Sequence, residues 1–384
     1  MKRILFLSTA NLHVRHGGAL ATLAYYNAFR CLYGEKIELV MPSEWCYGPY
    51  SSAIQVPQRK RILTYLKFLQ GRFHRYRDFF NDFLRNNSDC YEAVILNGGF
   101  CAGDMVRMFH SYGIKVVVIH HNYEPEYHMD NRTLPTLGGV TSYFIRKNES
   151  KAYRNADVNA YLTKSDMELH EKNYGKVSSP RYLLGVFEPE SVPLFPGELK
   201  NQGEKEKTIV ITGSLNSIQT IRGITSFRNG YYEEFKRIMP DWKIILSGRN
   251  PDAKILQFAS EDPSRITVIA NPENIDDVIS QGTIFLCPTN VGGGLKLRIM
   301  DGLRSGLPVL SHRVSSRGYE LFFDTPFFQI YDDRESFSDG LEKLKDYIEK
   351  NADHRSEIAG LYRSEFSFEA GCSRVKKMMS TLIQ

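Results

Sequence analysis

Three consecutive glycines, a lysine, an arginine and an aspartate are gathered in the segment PTNVGGGLKLRIMDGLRSGLPVLSH (288–312). A strand-length apolar run ends at Pro288, and a helical pattern begins near Leu295. Glycines at such a turn let the backbone approach a ligand closely, and the free N–H groups of the helix behind them suit phosphate oxygens. On a helical wheel Arg298 and Asp301 share one face, while Leu295, Ile299 and Leu303 take the opposite, core-facing side. Lys296, in the first turn, can bury its stem and still extend its ammonium to a diphosphate. An acid two turns into such a helix, here Asp301, can accept hydrogen bonds from a ribose diol. Taken alone, the pattern suits an ordinary strand–turn–helix equally well.

Two further groups lie where strands end. His16-Gly17-Gly18 follows the first strand-like run, RILFLS, and loops at that place form the functional edge of an open sheet. In IHHNYEPEYH (119–128) a buried-type run delivers His120, His121 and Asn122 at its carboxyl end. A histidine there can be a general base, a ligand of a sugar hydroxyl or a satisfied core hydrogen-bonder. His110, His120, His121 and His128 do not have a zinc spacing, and no HExxH occurs. No Asp-x-Asp triplet stands at a strand end; Asp276-Asp277 and Asp332-Asp333 read as solvated charges. No metal and no resident cofactor are expected.

The elements that must position these residues form two similar stretches. RILFLS, KIELVMP (36–42), YEAVILNG (91–98) and KVVVIH (115–120) alternate with helical patterns near 19–29, 61–86 and 101–111. KTIVITGS (207–214), DWKIILSG (241–248), RITVIA (265–270), GTIFLCP (282–288) and LPVLSH (307–312) alternate with helical patterns at 229–238, 251–259, 273–280 and 295–305. Each stretch predicts a mostly parallel sheet with helices on both faces. The segment from Val140 to about Asn173 is helical in composition, and SFEAGCSRVKKMMSTLI (367–383) reads as a last helix capped by Ser367. EPESVPLFPGELKNQGEKEK (188–207), rich in proline and alternating charge, reads as a linker. The expected domains are therefore 1–187, a linker at 188–206, a second domain at 207–366 and a terminal helix at 367–384.

Composition removes whole classes. At 384 residues, with 42% hydrophobic and 24% charged side chains, the chain is neither disordered nor fibrous. A net charge of +5 is too small to imply nucleic-acid binding. No apolar run reaches the roughly 18 residues of a membrane span, and six scattered cysteines without a CxxC fit neither a disulfide framework nor a zinc site. A reduced, cytoplasmic protein is expected. Between Gln58 and Arg77 seven basic residues are interleaved with large apolar ones and no acid, which suits an anionic membrane surface, an anionic substrate or a helix with a solvated rim.

The 288–312 segment resembles the donor site of the retaining glycosyltransferases of family 4. On that match Gly292 and Gly294 take the motif's two glycines, Arg298 its lysine and Asp301 its ribose-binding glutamate, with Gly306-Leu307-Pro308-Val309 in register. Val314-Ser315-Ser316-Arg317-Gly318 resembles the loop that closes over the diphosphate. Ile211–Asn216, with Gly213 and Ser214, resembles the opening loop of the nucleotide domain, and Leu246-Ser247-Gly248-Arg249 its second strand end. Arg222-Gly223 stands where the family has Lys-Gly. The stretch from Glu149 to Asp166 is similar to the family's helix and strand next to the linker, and the ending SEFSFEAGCSRV to the element that precedes its terminal helix. Two departures are evident: Gly293 replaces an acid found in other branches, and Asp301 is one methylene shorter than glutamate.

The resemblance implies a GT-B fold: two Rossmann-like α/β domains facing across a cleft, with the terminal helix returning to the first. It implies a metal-independent, retaining hexosyltransferase of bacterial polysaccharide biosynthesis, using a UDP- or GDP-linked sugar and a glycan or polyprenol-linked glycan acceptor. His120, Arg222 and Arg298 are then the catalytic candidates. Gly17, Gly18, Gly213, Ser214, Arg249, Gly292, Gly293, Gly294, Lys296 and Asp301 line the donor. His120 is favoured over His121 to face the sugar, and peripheral attachment to the inner face of the membrane through 59–77 is a further expectation. A non-catalytic carbohydrate- or nucleotide-binding protein and a nucleotide-sugar epimerase on the same fold are the alternatives.

Overall fold

The structure is a computed structural model that describes residues 2–14, 17–58, 75–130, 138–190, 207–292 and 295–382. The basic stretch at 59–74, His16, Gly293, Gly294 and most of the expected linker (191–206) lie outside the described residues. The chain divides into two compact units: Met1–Ser191 together with Ser367–Gln384, and Val192–Phe366. Among the described residues, no helix is long and apolar enough to cross a membrane.

In unit 1 the strands β1 (Arg3–Ser8), β2 (Ile37–Pro42), β3 (Ile54–Val56), β4 (Tyr91–Asn97), β5 (Lys115–His120), β6 (Val158–Tyr161) and β7 (Arg181–Leu183) form one parallel sheet. Its order is β3-β2-β1-β4-β5-β6-β7. The central runs LFL, VIL and VVVI are fully buried, as strands covered on both faces must be. Helices α1 (Gly17–Tyr33), α2 (Arg75–Asn87), α3 (Gly103–Ser111), α4 (Glu124–Asp130), α5 (Gly138–Asn155) and α6 (Lys164–Tyr174) connect them. The chain leaves β1 toward β2 and leaves β4 toward β5 in the opposite direction, so the topological switch point lies between β1 and β4. Ligands of such sheets bind at the carboxyl ends flanking that point.

Unit 2 repeats the plan with β8 (Thr208–Ser214), β9 (Lys243–Arg249), β10 (Ile266–Ala270), β11 (Ile284–Cys287), β12 (Val309–His312) and β13 (Phe328–Tyr331). Their order, β10-β9-β8-β11-β12-β13, puts the switch point between β8 and β11. The helices are α7 (Ile218–Gly230), α8 (Tyr232–Ile238), α9 (Ala253–Glu261), α10 (Ile275–Ile279), α11 (Arg298–Arg304), α12 (Arg334–Lys350) and α13 (His354–Phe366). Phe227, Phe235, Phe258 and Phe337 carry much of the core on one face of this sheet.

The last helix, α14 (Phe368–Met379), packs on α1 within unit 1. Ser367 caps it by accepting from the Ala370 N–H at 3.2 Å. Val375, Met378 and Met379 are fully buried, and Arg374 donates to the Leu184 carbonyl at 2.6 Å. Gly371 allows the closest approach: a Cβ there would stand 2.1 Å from the Phe187 ring.

Several elements differ from the sequence reading. The stretch 140–173 is not one helical segment, because β6 lies inside it; Asn159 interrupts the apolar run yet is fully buried and bonded. The helix expected at 229–238 is two, α7 beginning at a Ser217 cap and α8 following directly. The helix expected from 295 begins at Arg298, and β3, β7 and β13 are short edge strands that carry no pattern of their own.

Candidate functional site

In unit 2 the polar groups converge at the switch point. Gly213, near the end of β8, has φ +152°, a conformation that side chains rarely adopt. A Cβ there would lie 2.6 Å from Arg298 Nη1, so the glycine lets the guanidinium lie against the strand end. Arg298 donates through Nη1 to the Thr212 carbonyl at 3.0 Å and through Nη2 to Thr220 Oγ1 at 3.1 Å. Lys296, only 7% exposed, donates to Gln219 Oε1 at 3.1 Å and to the Gly292 carbonyl at 3.3 Å. Tyr319 fixes the lysine's backbone by donating to its carbonyl at 2.9 Å. Gly292, with φ +88°, presses on Gln219: a Cβ would stand 2.4 Å from its amide nitrogen.

The structure thus brings Gly213, Gly292, Lys296 and Arg298 together around the first turn of α7. Two cations and a capped helix start share one strand edge, an arrangement that attracts phosphate oxygens. Arg222, exposed one turn further along α7, lines a groove of about 360 Å³ with Ile221, Thr225, Lys254, Asn290 and Val291. Asn290 Oδ1 is buried there without a hydrogen-bond partner. Ser214 and Arg249 are exposed and opposite each other in the β8–β9 register. Asp301 stands one turn after Arg298 and pairs with Arg304 at 3.4 Å, the same arginine that meets Asp276 at 2.6 Å.

Gln219, Thr220 and Asn290 were not singled out from the sequence. For Gln219 and Thr220 the one available signal is the S-x-x-T pattern at 217–220, which marks where α7 begins. Replacing Gly213 with Ala should cost about 1–3 kcal/mol, through the forced φ and the displaced guanidinium. Urea denaturation checks this, and an unchanged midpoint would mean Arg298 does not rest on that turn.

The polar edge of unit 1 is built on a directed hydrogen-bond chain. Thr22 Oγ1 donates to the Gly18 carbonyl at 2.8 Å, and Asn97 Nδ2 donates to Thr22 Oγ1 at 2.8 Å. Asn97 Oδ1 therefore accepts, and His121 Nε2 gives it a proton at 2.7 Å. This leaves His121 with Nδ1 as its acceptor atom. Burial lowers the ring's pKa to about 4, so it is a neutral imidazole near pH 7. The chain couples Gly17-Gly18, which start α1, to His121, which follows β5.

His120 stands differently from the sequence expectation. Its ring is fully buried, stacked on Tyr161 at 5.0 Å and bonded through Nε2 to Asn159 Oδ1 at 2.9 Å. The reason is register. His120 is still in the ladder, paired with Tyr161, whereas His121 is past it and half-buried at the edge. Of the two, only His121 keeps part of its surface exposed. Glu124 follows, its carboxyl pushed up to about 8 by burial and by the nearby Glu149 and Asp166.

No family model and no curated protein sequence matches the chain. Solved structures do. HepE of Anabaena, solved with UDP, superposes with TM-score 0.68 at 11% identity, covering 99% of this chain and 100% of that one. A glycosyltransferase from Rickettsia africae gives TM-score 0.68 at 9% identity, covering 100% and 99%. The chain has the GT-B fold. Sucrose-phosphate synthase of Thermosynechococcus elongatus agrees, with TM-score 0.66 at 11% identity over 100% and 99% of the two chains. At such identities the likeness is one of fold, and within this GT-B chain the site rests on its own geometry.

Proposed function

We propose that this GT-B protein is a glycosyltransferase that moves a sugar from a nucleotide-sugar donor to a glycan or lipid-linked glycan. The observation that carries the reading is the cluster of Lys296 and Arg298 about the start of α7, at the switch point of unit 2. When the bond to the anomeric carbon breaks, negative charge grows on the departing diphosphate. Fixed cations and helix N–H groups stabilise that charge without reorganising, which accelerates departure. Arg222, on the exposed face of the same helix, meets the outer phosphate, and Asp301 takes the ribose. Such a cluster does the electrostatic work of a divalent ion, so the transfer is read as metal-independent. Retention of configuration and hexosyl specificity, in bacterial polysaccharide synthesis, complete the proposal on family resemblance.

Unit 1 takes the acceptor side in this reading. His121 Nδ1 accepts a hydrogen bond from a sugar hydroxyl, its tautomer held by Asn97. A uridine diphosphate is favoured over the guanosine form, a choice supported by the fold shared with HepE, which has been solved with UDP and with UDP-glucose. A thermal-shift screen with UDP, GDP, ADP and dTDP tests this. A diphosphate present at a hundredfold its Kd should stabilise by about 2.7 kcal/mol. No response to any of the four would remove the donor-site reading.

Peripheral attachment to an anionic membrane through 59–77 belongs to the same proposal and is supported by sequence. Each well-placed basic group contributes up to about 1 kcal/mol at such a surface. Pelleting with anionic but not neutral vesicles is expected, and loss of that difference on neutralising Arg59, Lys60, Arg61 and Lys67 checks the segment. Equal, negligible pelleting on both lipids returns the segment to acceptor binding or plain solvation.

A further inference from the structure

Behind the edge of the first sheet, three side chains of metal-ligating type are enclosed together. His120 at the end of β5, Glu149 on α5 and His170 on α6 are all fully buried. One ligand atom from each lies within 4.8 Å of the other two. The sequence pattern hid this grouping, since the histidine spacings weighed there did not include His170, and Glu149 sits on a different helix.

Hydrogen-bond direction fixes which atoms are available. His170 Nδ1 lies 2.8 Å from the Asp166 carbonyl, which can only accept, so Nδ1 carries the proton. In the neutral ring His170 Nε2 is then a lone pair, buried without a hydrogen-bond partner, 3.4 Å from Glu149 Oε1. Asn159 Nδ2 donates to the Tyr153 carbonyl and to Ser179 Oγ, so its Oδ1 accepts from His120 Nε2–H. His120 Nδ1 is therefore a second buried, unpartnered lone pair. It lies against Gly99, where a Cβ would stand 2.3 Å away.

A nitrogen lone pair of His170 and the Glu149 carboxylate held this close out of water repel unless a positive charge sits between them. Zinc bonds nitrogen and oxygen at about 2.0–2.2 Å in tetrahedral geometry, which sets neighbouring ligand atoms roughly 3.3–3.5 Å apart. The His170–Glu149 separation of 3.4 Å has that value. The outer hydrogen bonds are also those of a metal site. Each histidine gives its other N–H to an oxygen, Asn159 or Asp166, while Glu149 is steadied by the Glu124 N–H at 3.1 Å and the Tyr174 hydroxyl at 2.8 Å.

We infer that His120, Glu149 and His170 bind one divalent transition-metal ion, zinc by preference, as a structural site within unit 1. It is separate from the diphosphate cluster of unit 2 and takes no part in the proposed transfer. The test is elemental analysis of the full chain after loading with Zn²⁺ and desalting. About one zinc per chain is expected, with the melting temperature falling when a strong chelator is added. Co²⁺ in place of zinc should give the visible absorption of a four-coordinate nitrogen–oxygen site. Glu149→Gln and His170→Gln should lose the metal, while His110→Ala, at the protein surface, should keep it. If the Glu149 and His170 variants fail to fold, the Co²⁺ spectrum of the unaltered protein still decides. Less than roughly a tenth of an ion per chain, with no thermal response to Zn²⁺ or chelator, would overturn the site and leave the three side chains a buried polar part of the core.

Discussion

Replacing Arg298 with Ala should lower kcat/KM for donor cleavage by about 10²–10³-fold, the usual loss when one preorganised donor to a developing anion is removed. The side chain is held on three sides: by the Thr212 carbonyl, by Thr220 Oγ1 and by the bare backbone of Gly213. It is therefore aimed before any ligand arrives, and its charge need not be reoriented when the diphosphate departs. Arg298→Lys separates two contributions. A lysine restores the charge but not the planar fork that reaches Thr212 and Thr220 together, so recovery should be partial. The measurement is steady-state turnover of the donor selected by the nucleotide screen, alongside a melting curve to show the variant is folded. Wild-type kcat/KM in folded R298A would end the proposed role.

A chain that stops at Phe366 should keep unit 2 and lose unit 1. Removing α14 uncovers α1 and deletes Val375, Met378 and Met379, all fully buried, with Cys372 nearly so. Apolar side chains of this size contribute about 1.5–3 kcal/mol each, on the order of 6–12 kcal/mol together as an upper estimate. That is comparable to the whole stability of a typical domain. The Ser367 cap and the Arg374 bonds to the 184–186 backbone are lost as well. Limited proteolysis should cut the shortened chain within unit 1 while a fragment near 207–366 persists. Equal resistance of both units would show that α14 adds little.

The strands were legible wherever both faces are covered by helices, because LFL, VIL and VVVI then read as unbroken apolar runs. β6 was not legible from its apolar pattern, because Asn159 breaks its run; only the resemblance of 149–166 to a family helix and strand implied it. What makes that asparagine tolerable is three partners, Tyr153, Ser179 and His120, far from it in sequence or across the sheet. The glycines and cations of 288–312 were legible as a group at a strand end of unit 2, since glycine there and a helix start behind it are local facts. Their partners on α7 were invisible, being a matter of which helix crosses that edge. His120 and His121 could not be told apart by spacing. A single step of register, set by the pairing of His120 with Tyr161, puts one ring inside and leaves the other at the rim.

Unit 1 is assembled from two separated stretches, Met1–Ser191 and Ser367–Gln384, whereas unit 2 is one uninterrupted stretch between them. During synthesis every strand of unit 2 has left the ribosome before α14 exists. The apolar face of α1 that α14 covers stays bare through the making of the entire second unit. Domains usually complete in the order in which they are translated; here the first to begin is the last to be finished. A chain stopped before Ser367 would therefore carry an uncovered apolar face on α1 of unit 1 together with an otherwise well-made unit 2.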